Sequence, residues 1–208
     1  MAGNMNAHLR LAFGADQLCK STNISFEEAV DQLSHTHNGL RTVMSGNDIE
    51  IGEVMAINDA DARMPRDIVA KTVPEFLNDD KLGFTQHSTK MLESQRGQSY
   101  YVNMLEAYSD FNYQGHFLTS SVLGFHPPLV GHSAFIRSEA LRTVGHMRSF
   151  RRAQSWLRNI GLDFLSVDQV GNDLQTDSCT VYWSEDNASE DFEVMIHLYN
   201  LGYNGRFI

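Results

Sequence analysis

Apolar residues recur every three or four positions in several stretches of the chain, and this spacing predicts amphipathic helices. The first stretch carries Met5, Leu9 and Phe13. Ser25 and Glu28 have the spacing of a capping box, in which each side chain bonds the other's backbone N–H, so a second helix is expected there. Four further helices are predicted. One covers residues 67–79 with an interruption before Pro74, and one covers residues 90–118 with Met91, Met104 and Leu105 in the core. A short helix follows Ser138, and the last helix runs from the Asn187/Glu190 capping spacing to Gly202, with Phe192, Met195, Ile196 and Tyr199 on its apolar face.

Short apolar runs predict strands between these helices. VMAI at 54–57 has the composition of a strand that is buried on both faces of a parallel sheet. LGFTQ at 82–86 is the next candidate, residues 162–173 hold another, and the chain stops in a strand after Gly202. Because strands alternate with helices, the predicted fold class is α/β, with a mostly parallel sheet flanked by helices.

Two aspartates follow the first predicted strand, in the segment INDADARMP. In extended backbone, residues two apart point the same way, so Asp59 and Asp61 would face one spot at the end of a strand, where α/β sheets bind ligands. Two carboxylates there repel each other, and Mg²⁺ or Mn²⁺ removes that cost while taking diphosphate oxygens as further ligands. An acidic turn without function is the alternative for so short a motif. A calcium loop is excluded because Met64 and Ala70 stand where it needs Gly and Glu.

A second acidic cluster, SEDNASEDFE, spans residues 184–193. Its carboxylates could simply complement the start of a helix, since that end favours negative charge. The functional alternative makes Asp191 a general base that deprotonates a hydroxyl nucleophile. His132, in VGHSAF, could likewise bind a sugar hydroxyl or line a pocket, although an isolated histidine is more often structural.

Composition and charge narrow the classes of function. The chain has 208 residues, 42% of them hydrophobic and 20% charged, which is typical of a globular domain. A formal net charge of −10 with scattered basic residues argues against nucleic-acid binding, which needs a basic face. Cys19 and Cys179 form neither a disulfide framework nor a zinc site. No window approaches ~20 uninterrupted apolar residues, so no membrane span is predicted and the segment is expected to be soluble.

Segments in order along the chain resemble the catalytic core of the processive family-2 glycosyltransferases, which include cellulose, chitin and hyaluronan synthases. AGNMNAHL resembles the family's K-A-G-x-L-N-x-A-L helix start, and INDADARMP resembles its D-x-D segment. VPEFLNDDKLGFTQ is similar to the helix, turn and strand that follow. GHSAFIRSEAL resembles the segment near the acceptor sugar, and SEDFEVMIHLYNLGYNGRF the helix that begins T-E-D.

This resemblance implies a GT-A fold and a metal-dependent transfer, with inversion, of a sugar from a UDP-sugar donor to a glycan hydroxyl. It also assigns roles to six residues: Asp59 and Asp61 to the Mg²⁺ or Mn²⁺ and the donor diphosphate, Asp191 to the catalytic base, and Glu190, Gly131 and His132 to substrate binding.

Three features of that family do not occur in residues 1–208: its first nucleotide-binding strand, its Q-x-x-R-W motif and its membrane helices. We therefore expect a partial catalytic domain, truncated at both ends, whose parent associates with membranes through other segments. The isolated chain is expected to be inactive or nearly so. The alternatives are a non-catalytic metal- or carbohydrate-binding module and an inactive fragment whose sheet, lacking an outer strand, exposes an edge.

Overall fold

The computed structural model describes residues 2–36, 51–59, 62–91, 96–159, 182–183 and 189–208. In chain order the elements are α1 (Ala2–Thr22), α2 (Phe26–Thr36), β1 (Val54–Ile57), α3 (Ile68–Asn78), β2 (Leu82–Gln86), α4 (Tyr100–Asp110), a π-helical segment (Phe111–Phe117), α5 (Leu118–Val122), β3 (Ala134–Arg137), α6 (Ser138–Asn159), α7 (Glu190–Asn200) and β4 (Asn204–Phe207). The chain divides into two compact units, Met1–Glu53 with Ser138–Val194 and Val54–Arg137 with Met195–Ile208.

Most of the described part of the first unit is helical. Helix α2 begins with the predicted capping box: the Ser25 N–H donates to Oε2 of Glu28 at 3.1 Å, and the Glu28 N–H donates to Oγ of Ser25 at 3.3 Å. Helix α6 has 22 residues and so is longer than the short helix predicted after Ser138. None of the helices in the described part of the chain is long and apolar enough to cross a membrane.

A four-stranded open sheet organises the second unit, in the order β1-β3-β2-β4. The predicted α/β class, with helices beside the sheet, is confirmed. Strands β1, β2 and β4 share one direction, whereas β3 runs antiparallel to both of its neighbours, β1 and β2. A mostly parallel sheet therefore describes the strand directions but not the pairings, since two of these three pairings are antiparallel. The apolar run of β1 has an antiparallel neighbour, so such a run alone does not fix the direction of the neighbouring strand.

The core of the second unit lies between α3 and the sheet. Ile68 and Phe76 of α3 pack with Leu82 of β2 and Phe135 of β3. Strand β2 is buried along its whole length. Strand β1 lies at the edge of the sheet and is only partly buried, so the expectation that residues 54–57 are buried on both faces is wrong.

Helix α3 continues through Pro74, so the predicted interruption before this residue is wrong. A proline removes the hydrogen bond to the carbonyl four residues earlier, which here belongs to Ala70. Both residues are exposed, and water can replace that bond. At the end of the helix Arg137 donates to the carbonyls of Phe76 at 2.8 Å and Asp79 at 3.0 Å, and so pairs oxygens that the helix leaves open.

Residues 100–122 are helical, in agreement with most of the prediction for 90–118. Met104 and Leu105 are 47% and 41% exposed, however, so the expectation that they belong to the core is wrong. Tyr113 of the π-helical segment is buried instead. The wider turn of a π-helix changes which side chains face inward, and the spacing of apolar residues does not reveal it.

Helix α7 is closed by a Schellman motif in which Gly202 is the stop residue, as predicted. The Gly202 N–H donates to the Tyr199 carbonyl and the Tyr203 N–H to the Leu198 carbonyl, both at 3.0 Å. Gly202 has φ +86°, a conformation that glycine adopts without strain. The geometry confirms a stop signal that is encoded within five residues.

The buried face of α7 differs from the predicted one. Val194 and Leu198 are fully buried, whereas Phe192 and Ile196 are 46% and 51% exposed. The predicted apolar face is therefore wrong at Phe192 and Ile196. The Asn187 cap and the strand predicted at 162–173 lie outside the described residues.

Gly205 tests the packing of β4 on β2. A Cβ at this position would lie 2.6 Å from the Tyr199 hydroxyl and 2.7 Å from Cε1 of Phe84, which is closer than non-bonded atoms approach. We expect Gly205→Ala to lower the free energy of unfolding by about 1–3 kcal/mol, because overpacking forces neighbours off their rotamers. Urea unfolding followed by circular dichroism measures the change.

Gly115→Ala is the matched control, because its Cβ would meet Phe111 at an ordinary distance of 3.5 Å. Equal destabilisation by the two substitutions would contradict the packing described for Gly205.

Candidate active site

A cavity of about 730 Å³ opens in the second unit, at the side of the sheet where strands β1, β2 and β4 have their carboxyl ends and β3 has its amino end. Its volume falls in the range of small-molecule sites. Its lining comes from residues between 59 and 71, from 87–91, from 132–133 and from Ile208. The charged lining residues comprise three bases and two acids: Arg63, Lys71, Lys90, Asp59 and Asp67. In a chain with a formal net charge of −10, this local balance suits an anionic ligand.

Asp59 and His132 lie close together at this cavity. Nδ1 of His132 is 4.0 Å from Oδ2 of Asp59, and the two side chains are 27% and 46% exposed. On the other side of the ring, Nε2 lies 2.8 Å from the Tyr113 hydroxyl and 3.2 Å from the Thr89 hydroxyl. The imidazole is therefore held between a carboxylate and two hydroxyls, with both nitrogens engaged in polar surroundings.

The buried side chain of Gln86 holds the loop that carries His132. Its Nε2 donates to the His132 carbonyl at 2.8 Å, and its Oε1 accepts from the Val130 N–H at 2.9 Å. Gly131, between these residues, has φ +80°, which favours glycine. The Gln86 side chain, at the end of β2, thus fixes the position of Gly131 and His132 through hydrogen bonds to the main chain of their loop.

The Asn58 side chain shapes the turn that carries Asp59. Its Nδ2 donates to the carbonyls of Asp59 at 3.2 Å and Ala62 at 2.9 Å, and the Ala62 N–H donates to the Asp59 carbonyl at 3.0 Å. These bonds fix the backbone that carries Asp59, whose carboxylate faces the His132 ring across 4.0 Å.

Of the two predicted metal ligands, Asp59 belongs to the described residues and Asp61 does not. Within those that are described, no group of three or more His, Cys, Asp and Glu side chains could hold a metal ion. The chemistry of Asp59 nevertheless fits Mg²⁺ or Mn²⁺, since such sites commonly use one or two carboxylates together with substrate phosphates and water.

The remaining predicted site residues, Asp191 and Glu190, open helix α7 in the first unit. Both are half-buried. Oδ1 of Asp191 accepts a hydrogen bond from the indole N–H of Trp183 at 2.8 Å. The structure thus brings Asp59 and His132 to one cavity, with Gly131 next to His132 in the chain, and gives Asp191 a specific buried neighbour.

Sequence reasoning missed Tyr113 and Thr89, because they are 19 and 43 residues from His132 and belong to no local motif. Gln86 does carry a signal. It is a polar residue that closes an otherwise apolar strand, and a buried amide at such a place must find hydrogen-bonding partners.

The fold and the cavity define an α/β protein with an anion-compatible ligand site where its parallel strands end. The chain belongs to glycosyl transferase family group 2, whose family model matches residues 54–208, more than half of the sequence. It is a glycosyltransferase-family domain, and the mixed sheet flanked by helices is consistent with a GT-A-like architecture. A comparison with curated proteins found no match.

Burial controls the protonation of His87, which lines the cavity. Its Nε2 lies 3.0 Å from the Thr72 hydroxyl, which itself donates to the Ile68 carbonyl at 2.7 Å and so can accept from a neutral ring. Burial lowers the pKa of His87 below its ordinary value of 6.5, because the charged ring loses solvation.

This shift predicts a pH dependence of stability. As pH falls through about 6.5, the unfolded chain binds a proton at His87 more readily than the folded chain, so stability is lost. We expect His87→Gln to lose less stability than the wild type between about pH 7 and 5, as measured by urea unfolding at each pH. The exposed His116→Gln serves as the control. An unchanged pH dependence in His87→Gln would refute the role of burial.

Proposed function

We propose that this chain carries the catalytic core of a metal-dependent glycosyltransferase that moves a sugar from a UDP-sugar to a glycan hydroxyl with inversion. The observation that carries the proposal is the Asp59–His132 cavity, in a chain that belongs to a glycosyltransferase family. A processive polymer-synthase subtype and membrane association of the full-length protein are further proposals, which rest on the resemblance of the sequence motifs.

Asp59 and the basic residues near it support the donor side of this proposal. Asp59 and Asp61 would hold Mg²⁺ or Mn²⁺, which when bound offsets negative charge on the leaving diphosphate. Arg63 and Lys90 line the same cavity and can form charge-assisted hydrogen bonds to phosphate oxygens. The local bases and the ion together would let an acidic chain bind an anionic donor.

Gly131 and His132 support the acceptor side. Contacts of Nε2 with Tyr113 and Thr89 orient the imidazole, and Nδ1 faces Asp59 across 4.0 Å. A ring held in this way can accept a hydrogen bond from a sugar hydroxyl at the cavity or donate one to it. Gly131, without a side chain, lets a sugar approach the backbone closely.

Asp191 is the proposed base, with Glu190 beside it. The acceptor oxygen forms a bond to the anomeric carbon while the bond from that carbon to the donor diphosphate breaks. The electron pair of the broken bond leaves with the diphosphate, and the hydroxyl proton passes to the Asp191 carboxylate. A single displacement from the opposite face inverts the anomeric centre.

Nucleotide binding tests the donor side. We expect Asp59→Asn and Asp61→Asn each to weaken Mn²⁺-dependent UDP binding by about tenfold or more, because each removes a charged oxygen ligand. Asp191→Asn should leave this affinity unchanged. Isothermal titration calorimetry with and without Mn²⁺ measures all three effects.

Asp67→Asn is the matched control, because Asp67 lines the same cavity but pairs with Lys71 at 2.6 Å. UDP binding that is equally tight without metal would contradict the metal role and favour a module that does not use one.

Sugar transfer tests the base. In the full-length protein, Asp191→Asn should lower kcat by about 10²–10⁴-fold, the usual contribution of a general base. Transfer of labelled sugar from UDP-sugars measures the rate, and proton NMR of the product reads the anomeric configuration. Asp80→Asn, an exposed acid in the turn before β2, is the control. Full activity in Asp191→Asn would rule out its role as base.

A further inference from the structure

We infer that Trp183 is a positioning residue for Asp191 and that Asn6 and Arg148 hold Trp183 in place. The inference rests on the proposed role of Asp191 as base. It adds to that role a set of buried contacts, all within the first unit, that define where the carboxylate lies.

The contact between Trp183 and Asp191 is a hydrogen bond from a buried indole to a half-buried carboxylate. Trp183 is 1% exposed, and its Nε1–H donates to Oδ1 of Asp191 at 2.8 Å. An indole has one donor and no acceptor, so a buried indole N–H is satisfied only by an acceptor such as this carboxylate. Bonds of this kind are short and directional, and this one constrains the plane of the carboxylate.

Asn6 fixes the backbone of Trp183 from helix α1. Its fully buried side chain accepts the Tyr182 N–H at 2.9 Å and the Trp183 N–H at 2.8 Å through Oδ1. Its Nδ2 donates to the Trp183 carbonyl at 2.7 Å. A carboxamide is needed here, because an aspartate would offer no donor and an alanine would remove all three of these bonds.

Arg148 joins the same segment to helix α7. It is 8% exposed, its Nη1 donates to the Tyr182 carbonyl at 3.0 Å, and it forms an ion pair with Glu193. Glu193 follows Asp191 by two residues on α7. The 182–183 segment is therefore attached to the first turn of this helix at two points, which restricts both its position and its rotation.

A fixed carboxylate matters because proton transfer depends on the alignment of the base with the acceptor hydroxyl, and a displacement of about 1 Å can reduce a rate by about 10²-fold. Trp183→Phe keeps a six-membered aromatic ring in the buried site. It removes only the five-membered ring of the indole, which carries the N–H donor. It therefore separates the hydrogen bond from most of the packing.

The experiment compares Trp183→Phe with Val194→Ala in the full-length protein. We expect Trp183→Phe to lower kcat by about tenfold or more and to leave KM for the UDP-sugar within about twofold, because donor binding does not involve this bond. Val194 is fully buried in the same helix, so Val194→Ala loosens packing and should leave kcat unchanged. An unchanged kcat in Trp183→Phe, or an equal loss in both variants, would overturn the inference.

A second measurement needs no activity and uses the 208-residue chain. Because the chain has two tryptophans, its ¹H–¹⁵N spectrum contains two indole signals, and Trp156→Phe assigns them. Asp191→Asn should shift the Trp183 indole signal. A Trp183 signal that does not move would show that the hydrogen bond is absent.

The outcomes separate this inference from the proposed function. Loss of transfer in Asp191→Asn with normal kcat in Trp183→Phe removes only the positioning role. Full transfer in Asp191→Asn removes the base itself, and the positioning role with it. Loss of kcat in Asp191→Asn and in Trp183→Phe, together with a shifted indole signal, supports the base and the positioning role.

Discussion

Each unit depends on one buried carboxamide that bonds the main chain of a neighbouring segment. Gln86 makes three such bonds, to the backbone at residue 87 and at 130–132, and Asn6 makes three to the backbone at 182–183. A buried amide is costly unless its donors and acceptors are paired, and each group left unpaired costs about 1–3 kcal/mol. Neither segment can shift without that loss. These are the segments that carry His132 in one unit and Trp183, the neighbour of Asp191, in the other.

The reversed strand β3 explains why the two residues of the cavity meet. Because β3 is antiparallel to β1, the residues before β3 lie beside the residues after β1, and the register pairs Ile57 with Ala134. Asp59 and His132 each lie two residues outside this last pair. If β3 were parallel to β1, the 130–133 loop would lie near the amino end of β1, away from Asp59. The direction of one strand thus decides whether a carboxylate and an imidazole share a site.

Features encoded within a few residues were predictable from the sequence, and features that depend on distant partners were not. The capping box at Ser25, the stop at Gly202 and the strand at 82–86 each follow from local spacing and local backbone preference. The continuation of α3 through Pro74 depends on solvent access to a single carbonyl, which no spacing shows. The contact of Tyr113 with His132 depends on a π-helical segment and a reversed strand together. For the same reason the sequence could nominate Asp59 and His132 but not Tyr113 and Thr89, which contact His132.

Net charge and local charge act on different scales, and this difference reconciles an acidic chain with the anionic donor that we propose for it. At physiological ionic strength, exposed charges are largely screened beyond about 8 Å, so the formal net charge of −10 has little effect inside a cavity lined by Arg63 and Lys90. A nucleic acid presents phosphates over a much longer surface and needs a continuous basic face. A nucleotide diphosphate needs only two or three local partners and an ion. The same charge distribution therefore opposes a polyanion and admits a small phosphorylated sugar donor.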